Sequence, residues 1–175
     1  MALKKQSKPR FEHPDNFLFD AAQGWSDLGN PREAVNELRS MTPAGRDHPE
    51  VLVLLWLLHA ELLEWTESLA VAERLIEIAP QDSFGWVHRA YSLRRVPSGG
   101  LEKAWHALRP AADLFPKEKI IPYNLACYAA QMGRLDEAWV WLQKAMDIAG
   151  DVRGIKAMAL VDEDLKSLWE RIEAL

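Results

Sequence analysis

Four small residues, Ala34, Ser68, Ala104 and Ala138, recur along this chain at spacings of 34, 36 and 34 residues. A period in this range marks a stacked-repeat architecture, in which each unit is one supersecondary element that cannot bury its apolar face alone. The stretch Gly133-Arg134-Leu135-Asp136-Glu137-Ala138-Trp139, running on to Gln143-Lys144-Ala145-Met146, carries the signal most clearly. Chains of this kind present extended surfaces, so the period favours a binding surface over a catalytic pocket.

Turn signals fall at matching places and cut the chain into helices of ordinary length. Asn30-Pro31 and Asp47-His48-Pro49-Glu50 read as helix starts, with a capping residue ahead of a proline in the first turn. Pro80-Gln81-Asp82-Ser83, Pro97-Ser98-Gly99-Gly100, Pro116-Lys117 and Gly150-Asp151 supply later breaks. The run Val51-Leu52-Val53-Leu54-Leu55 has strand-like composition. It continues through Trp56 to Leu63 without a turn signal, which is too long for a typical strand.

Pairing the helices gives four units. They run from Asp15 to Met41 with a break at Gly29-Asn30, and from Pro49 to Ala79 with a break near Glu64. The third runs from Ser83 to Phe115 with a break at Pro97–Gly100, and the fourth from Lys119 to Ala149 with a break at Gly133. The one irregular spacing falls in the third unit, whose Pro97–Gly100 turn absorbs two extra residues. Two closing helices are expected over Val152–Leu160 and Asp162–Ala174. The domain organisation is therefore a basic, flexible tail over 1–14, four repeats over 15–150 and capping helices over 151–175.

The small residues have a packing reason. Where backbones approach closely only a small side chain fits. Ala22, Ala90 and Ala126 take this role in the first helices of their units; Ala34, Ser68, Ala104 and Ala138 take it in the second, with Ala111 and Ala145 two turns on. Leu38, Leu108 and Leu142 follow the alanine by four residues, on the same helix face, as core packers.

With these positions in place, the chain resembles the tetratricopeptide repeat (TPR) family, whose unit is a 34-residue helix-turn-helix. Tyr123-Asn124-Leu125-Ala126 through Gly133, Ala138, Leu142 and Ala145 matches well, and Trp86, Ala90, Ala104, Ala111 and Pro116 nearly as well. Trp65, Glu67, Ser68 and Pro80 carry the second unit; Ala22, Gly29, Glu33 and Ala34 carry the first. Trp56 stands in a small-residue slot, Met41 and Leu75 replace alanines, and Arg46 replaces the closing proline. The resemblance implies an all-α fold, a right-handed superhelical α-solenoid of about four helix-turn-helix repeats with C-terminal capping helices.

The resemblance also implies a concave groove lined by first helices. Its candidate partner-binding residues are Phe19 and Gln23, then Val53, Leu54 and Leu57, then Phe84, His88, Tyr91 and Arg94, and finally Tyr123 and Asn124. The middle of that groove is unusually apolar, because Val51–Leu58 is hydrophobic on every side of its helix. A partner, a second copy of the chain, the chain's own N-terminal segment with Phe11, or curvature between neighbouring helices would each cover it. Asn124 has the donor and acceptor needed to grip an extended peptide backbone, and Arg94 with Arg95 suits a carboxylate. Relatives that clamp acidic C-termini use lysines, arginines and asparagines where this chain has Phe19, Gln23, Val53 and Leu57. An acidic C-terminal tail is therefore not the expected ligand.

Other function classes fare poorly. The net charge of −5 argues against a broad nucleic-acid-binding face. The longest apolar run, Val51 to Leu58, falls far short of the roughly 20 residues that span a bilayer. No long apolar stretch follows the basic start, so no secretory signal is read there. The single cysteine, Cys127, excludes an internal disulfide. The five histidines show no metal-ligand spacing, Gly99-Gly100 lacks a phosphate-loop pattern, and Cys127 in an alanine-rich helix reads as an apolar filler rather than a nucleophile for His88. Asp162-Glu163-Asp164 reads as a helix-start feature. Of the eight tryptophans, Trp139 and Trp141 are two apart and cannot share one inward face.

The sequence thus points to a cytoplasmic, non-catalytic adaptor that binds a peptide or helical segment in an apolar groove, without cofactor or metal. The alternatives are a structural module that forms a homodimer through apolar helix surfaces, and a chaperone-like component of a secretion or assembly machine.

Overall fold

The computed structural model describes residues 11–175. The basic segment 1–10, with the electrostatic contact suggested for it, lies outside the described residues. Regular structure among the described residues is entirely helical, and the helices cluster into two compact units that divide between Ile78 and Ala79.

The first unit contains α1 (Asp15–Asp27), α2 (Pro31–Arg39), α3 (Pro43–Arg46), α4 (Pro49–Glu61) and α5 (Trp65–Ile78). Helix α1 pairs with α2 and α4 pairs with α5, while α2 packs on α4. Both hairpins turn in the same way. The Gly29 N–H bonds to the Ser26 carbonyl and Asn30 N–H reaches back to Trp25, just as Leu63 bonds to Ala60 and Glu64 to His59. This is the Schellman ending, which needs a left-handed residue. Gly29 supplies it at φ 72°, and Leu63, a non-glycine, is held there at φ 58°. The core gathers Phe19, Ala22, Ala34, Val35, Leu38, Met41, Val51 and Leu58.

Two features of this unit depart from the sequence reading. The connection between the first two repeats forms a short helix, α3, because Thr42 caps it from its side chain and Pro43 is preset for the first turn. Phe11, placed by sequence in the tail, is buried with its ring 4.8 Å from Phe19 and 4.8 Å from His48. Trp56, in its small-residue slot, is buried as well.

The second unit contains α6 (Ser83–Leu93), α7 (Leu101–Leu108), α8 (Ala111–Leu114), α9 (Ile120–Gln131), α10 (Leu135–Ala149), α11 (Val152–Ala159), a 3-10 segment over Glu163–Leu168, and α12 (Trp169–Glu173). Helix α6 pairs with α7 and α9 with α10; the 3-10 segment lies against α9. Ala90, Ala104, Ala111, Ala126, Ala138 and Ala145 have no exposed surface, nor do Leu108 and Leu142, as expected where helices approach closely. The fourth repeat's turn at Gly133 (φ 76°) copies the bonding of the first two, Gly133 to Ala130 and Arg134 to Ala129.

The third repeat turns differently. Its longer loop closes through the Gly100 N–H on the Leu93 carbonyl. A Cβ on Gly99 would sit 1.7 Å from that same carbonyl oxygen, so only glycine fits. The helix expected from the loop to Phe115 is interrupted at Pro110, which has no N–H to continue the ladder. The last closing helix begins as a 3-10 segment, started by the Asp162 carboxylate, which accepts the Asp164 N–H at 3.0 Å. Trp139 is buried beneath the Arg171 guanidinium, 4.3 Å from its ring. Trp141 lies half-buried between Arg109 and Lys144, so the two tryptophans do separate.

Candidate functional site

Phe84, Val87, His88 and Tyr91 lie on one face of α6, because positions three, four and seven apart on a helix align. Ile120 and Asn124 lie one turn apart on α9. Together with Asp82, Ser83 and Glu118 at the starts of the two helices, these residues line a cleft of about 510 Å³. Four of the sequence-designated groove residues, Phe84, His88, Tyr91 and Asn124, meet here. On the other side of Ile120 is a smaller hollow of about 240 Å³, lined by Lys119, Tyr123, Asp151, Gly154, Ile155 and Met158. Ile120 is 36% exposed and borders both.

The aromatic wall is fixed from behind. The His88 ring stacks on Phe84, centroids 3.7 Å apart at 18°. His88 Nδ1 is 2.8 Å from the Phe84 carbonyl oxygen. A carbonyl only accepts, so Nδ1 carries the proton. Burial lowers the His88 pKa, against the opposing pull of that bond and of the Asp82 charge, and the imidazole is neutral at pH 7. The Arg95 guanidinium covers the Tyr91 ring at 3.5 Å and donates to the Tyr91 carbonyl at 2.9 Å.

One end of the cleft is acidic. Asp82 caps α6 by accepting the Phe84 N–H at 2.9 Å. Glu118 accepts the Ile120 N–H at 3.4 Å and faces the Ser83 hydroxyl at 3.5 Å. Among the described residues that line the cleft there is no lysine or arginine. Sequence reasoning missed Asp82, Glu118 and Ile120. The signal was there for Ile120, which stands four residues before Asn124.

The other designated residues of this unit are occupied by the chain's own closing segment. Arg94 donates through Nη2 to Asp164 Oδ1 at 2.7 Å and through Nη1 to Oδ2. The Tyr123 hydroxyl donates to Asp162 Oδ2 at 2.9 Å, and Gln131 donates to the Asp164 carbonyl at 3.1 Å. Tyr123 is only 4% exposed. Its pKa is driven up, by burial first and then by the nearby Cys127 and Asp162.

Cys127 Sγ is 3.6 Å from Asp162 Oδ2. Burial, and then the charges of Asp162 and Asp164, push the thiol pKa well up, the opposite of what an attacking thiolate needs. Cys127, Asp162 and Asp164 bring ligand atoms within 4.8 Å of one another. As a metal site the set fits poorly. Asp164 already neutralises Arg94, Asp162 accepts from Tyr123 and from the Asp164 N–H, and the thiol holds its proton. These groups are a polar clasp on the 3-10 segment.

In the first unit Phe19 is buried under Phe11, so it does not form an open surface. Leu54 is half-buried against the core, Val53 is half-buried, Gln23 is exposed and Leu57 is 48% exposed. His59, also on α4, is buried with Nδ1 2.8 Å from Glu64.

No protein-family model matches the sequence. No curated protein matches it either. Solved structures do match. MamA from Desulfovibrio magneticus RS-1 is 17% identical, with 94% of this chain and 96% of that one aligned at a TM-score of 0.68. TTC0263, a thermophilic TPR protein of Thermus thermophilus, is 18% identical over 92% of this chain and all of its own, at 0.62. YrrB, described as a TPR protein with an unusual peptide-binding site, is 17% identical over 83% of this chain and 74% of its own, at 0.66. The chain therefore has the tetratricopeptide-repeat fold. No helix among the described residues is long and apolar enough to cross a membrane.

Proposed function

We propose that this protein is a non-catalytic interaction module that takes a peptide or short helical segment of a partner protein into the cleft between α6 and α9. The observation that carries this reading is the composition of the cleft. Phe84, Val87, Tyr91 and Ile120 offer apolar contact, and Asn124 is the amide among them. Concave, mainly apolar clefts with a few placed polar groups are where ligands bind. The Asn124 amide has both the donor and the acceptor that a peptide backbone needs. The likeness to YrrB, with its peptide-binding site, is in keeping with this use of the fold. Phe84, His88, Tyr91 and Asn124 are the proposed contact residues; Arg94 and Tyr123 hold the C-terminal segment and act on the ligand only through it.

The test is selection of phage-displayed random 12-residue peptides on the full chain. Peptides are expected to enrich, and their binding is expected to be lost with Ile120→Glu, which sets a charge on the exposed ridge. Enrichment of nothing, or of peptides indifferent to Ile120→Glu and Asn124→Ala, overturns the reading.

A further inference from the structure

The cleft is chemically lopsided, and this polarity bears on what enters it. Its floor and walls are apolar or neutral: Val87, Phe84, Tyr91, Ile120 and the uncharged His88 imidazole. Its acidic lining residues are Asp82 and Glu118, one at the start of α6 and the other at the start of α9. Each spends acceptor capacity on local N–H or hydroxyl groups: Asp82 on Phe84, Glu118 on Ile120 and Ser83. A carboxylate has about four lone-pair sites, so both keep acceptors for a further donor. The Asp82 charge is felt inside the cleft, where it acts on His88. Of the two lysines that flank Glu118 in sequence, Lys119 lines the smaller hollow beyond Ile120 and Lys117 is exposed and lines neither hollow. At the opposite end, Arg95 covers Tyr91 and Arg94 is neutralised by Asp164.

We infer that the occupant of the α6–α9 cleft is a basic–apolar peptide, whose aliphatic or aromatic anchor lies among Phe84, Val87, Tyr91 and Ile120 and whose Lys or Arg reaches Asp82 and Glu118. This rests on the cleft being the binding site, as proposed above, and adds the charge of the partner. A basic residue meets two carboxylates at this rim. An acidic residue there meets like charge, which suppresses wrong partners as well as steering right ones. The second hollow beyond Ile120 gives room for a further apolar side chain of an extended segment.

The same peptide selection tests this. Peptides enriched on the full chain are expected to combine an apolar anchor with Lys or Arg and to be depleted in Asp and Glu. Their fluorescein-labelled versions are then measured by polarisation against the double variant Asp82→Asn, Glu118→Gln. Asp82→Asn keeps an acceptor oxygen for the Phe84 N–H, and Glu118→Gln keeps one for the Ile120 N–H and turns an amide N–H donor to the Ser83 hydroxyl; both remove the charge, and far-UV circular dichroism checks the fold. Affinity is expected to fall about tenfold, as for two partly exposed ion pairs, and to lose most of its salt dependence. Peptides without a basic excess, or affinity unchanged in the double variant while Ile120→Glu still abolishes binding, overturn the charge preference and leave the cleft standing. Binding that survives both Ile120→Glu and Asn124→Ala removes the cleft itself.

Discussion

Arg94 and Asp164, 70 residues apart in sequence, meet as a two-point ion pair that pins the closing 3-10 segment onto the groove side of the second unit. Both side chains are about one quarter exposed, at 22% and 27%. Leu165 and Leu168, just beyond, are buried in the core with Ile172. The ion pair therefore positions a segment that apolar burial holds in place. The basic residue that sequence placed at the groove for a partner's carboxylate has found one in its own chain.

Arg94→Ala leaves the Asp164 carboxylate half-buried without its cation. The expected loss is about 1–2 kcal/mol in urea unfolding, the scale of charge-assisted bonds in partial burial. Amide exchange over residues 162–175 should accelerate more than that of α10. Combined with Asp164→Asn the losses should be less than additive, because one interaction is removed twice. Additive losses would mean that the two side chains act separately.

A second long-range clasp stands in the first unit. Asp15 accepts the Thr42 N–H at 2.8 Å and the Thr42 hydroxyl at 2.6 Å, and Thr42 Oγ1 accepts the Gly45 N–H at 3.1 Å. A Cβ on Gly45 would lie 2.2 Å from Asp15 Oδ2. Gly45→Ala must push the carboxylate off both bonds, at about 2 kcal/mol. In an Asp15→Ala background that conflict is gone, and Gly45→Ala should cost little, since Ala exceeds Gly in a helix by roughly 0.5–1 kcal/mol. Equal costs in the two backgrounds would refute the contact.

These clasps mark the limit of what the sequence disclosed. The 34-residue spacing located Ala22, Ala34, Ala104 and Ala138 correctly in the core, because close helix packing is a periodic demand that composition must meet at each turn. The partners of Arg94 and Tyr123 come from outside the period, in the closing segment, and no spacing rule connects 94 to 164. The cleft was half legible for the same reason. Phe84, His88 and Tyr91 follow helical spacing, whereas Asp82 and Glu118 belong to helix starts and read as caps. Pro110 was visible, and its break in the helix follows from its missing N–H.

The turn position shared by Gly29, Leu63 and Gly133 yields a stabilising substitution. Leu63 sits at φ 58°, where a side chain costs roughly 1–2 kcal/mol, and its side chain is 69% exposed, so little packing is lost. Leu63→Gly relieves the strain and loses about 0.4–1 kcal/mol to unfolded-chain entropy. The net expectation is a gain of about 0.5–1 kcal/mol, seen as a raised midpoint in a calorimetric melt. A lowered midpoint would show that Leu63 contributes packing beyond its exposed surface.

The buried thiol predicts where alkali begins to unfold the protein. Cys127 ionises near 9.0 when unhindered, and burial with the Asp162 charge raises that value in the fold. Above pH 9.0 the unfolded chain releases a proton that the folded chain keeps. Stability is therefore full below pH 9.0 and declines as pH rises towards the folded value, at about 1.4 kcal/mol per pH unit for this group. Tyr123 and Tyr128, raised from 10.0 chiefly by burial, steepen the decline above pH 10.0. Urea melts from pH 8 to pH 10.5 should show the onset near 9 in the native chain and near 10 in Cys127→Ser. Superimposable profiles would mean that the thiol already ionises freely in the folded state, and that the Asp162–Cys127 contact is looser than its 3.6 Å separation indicates.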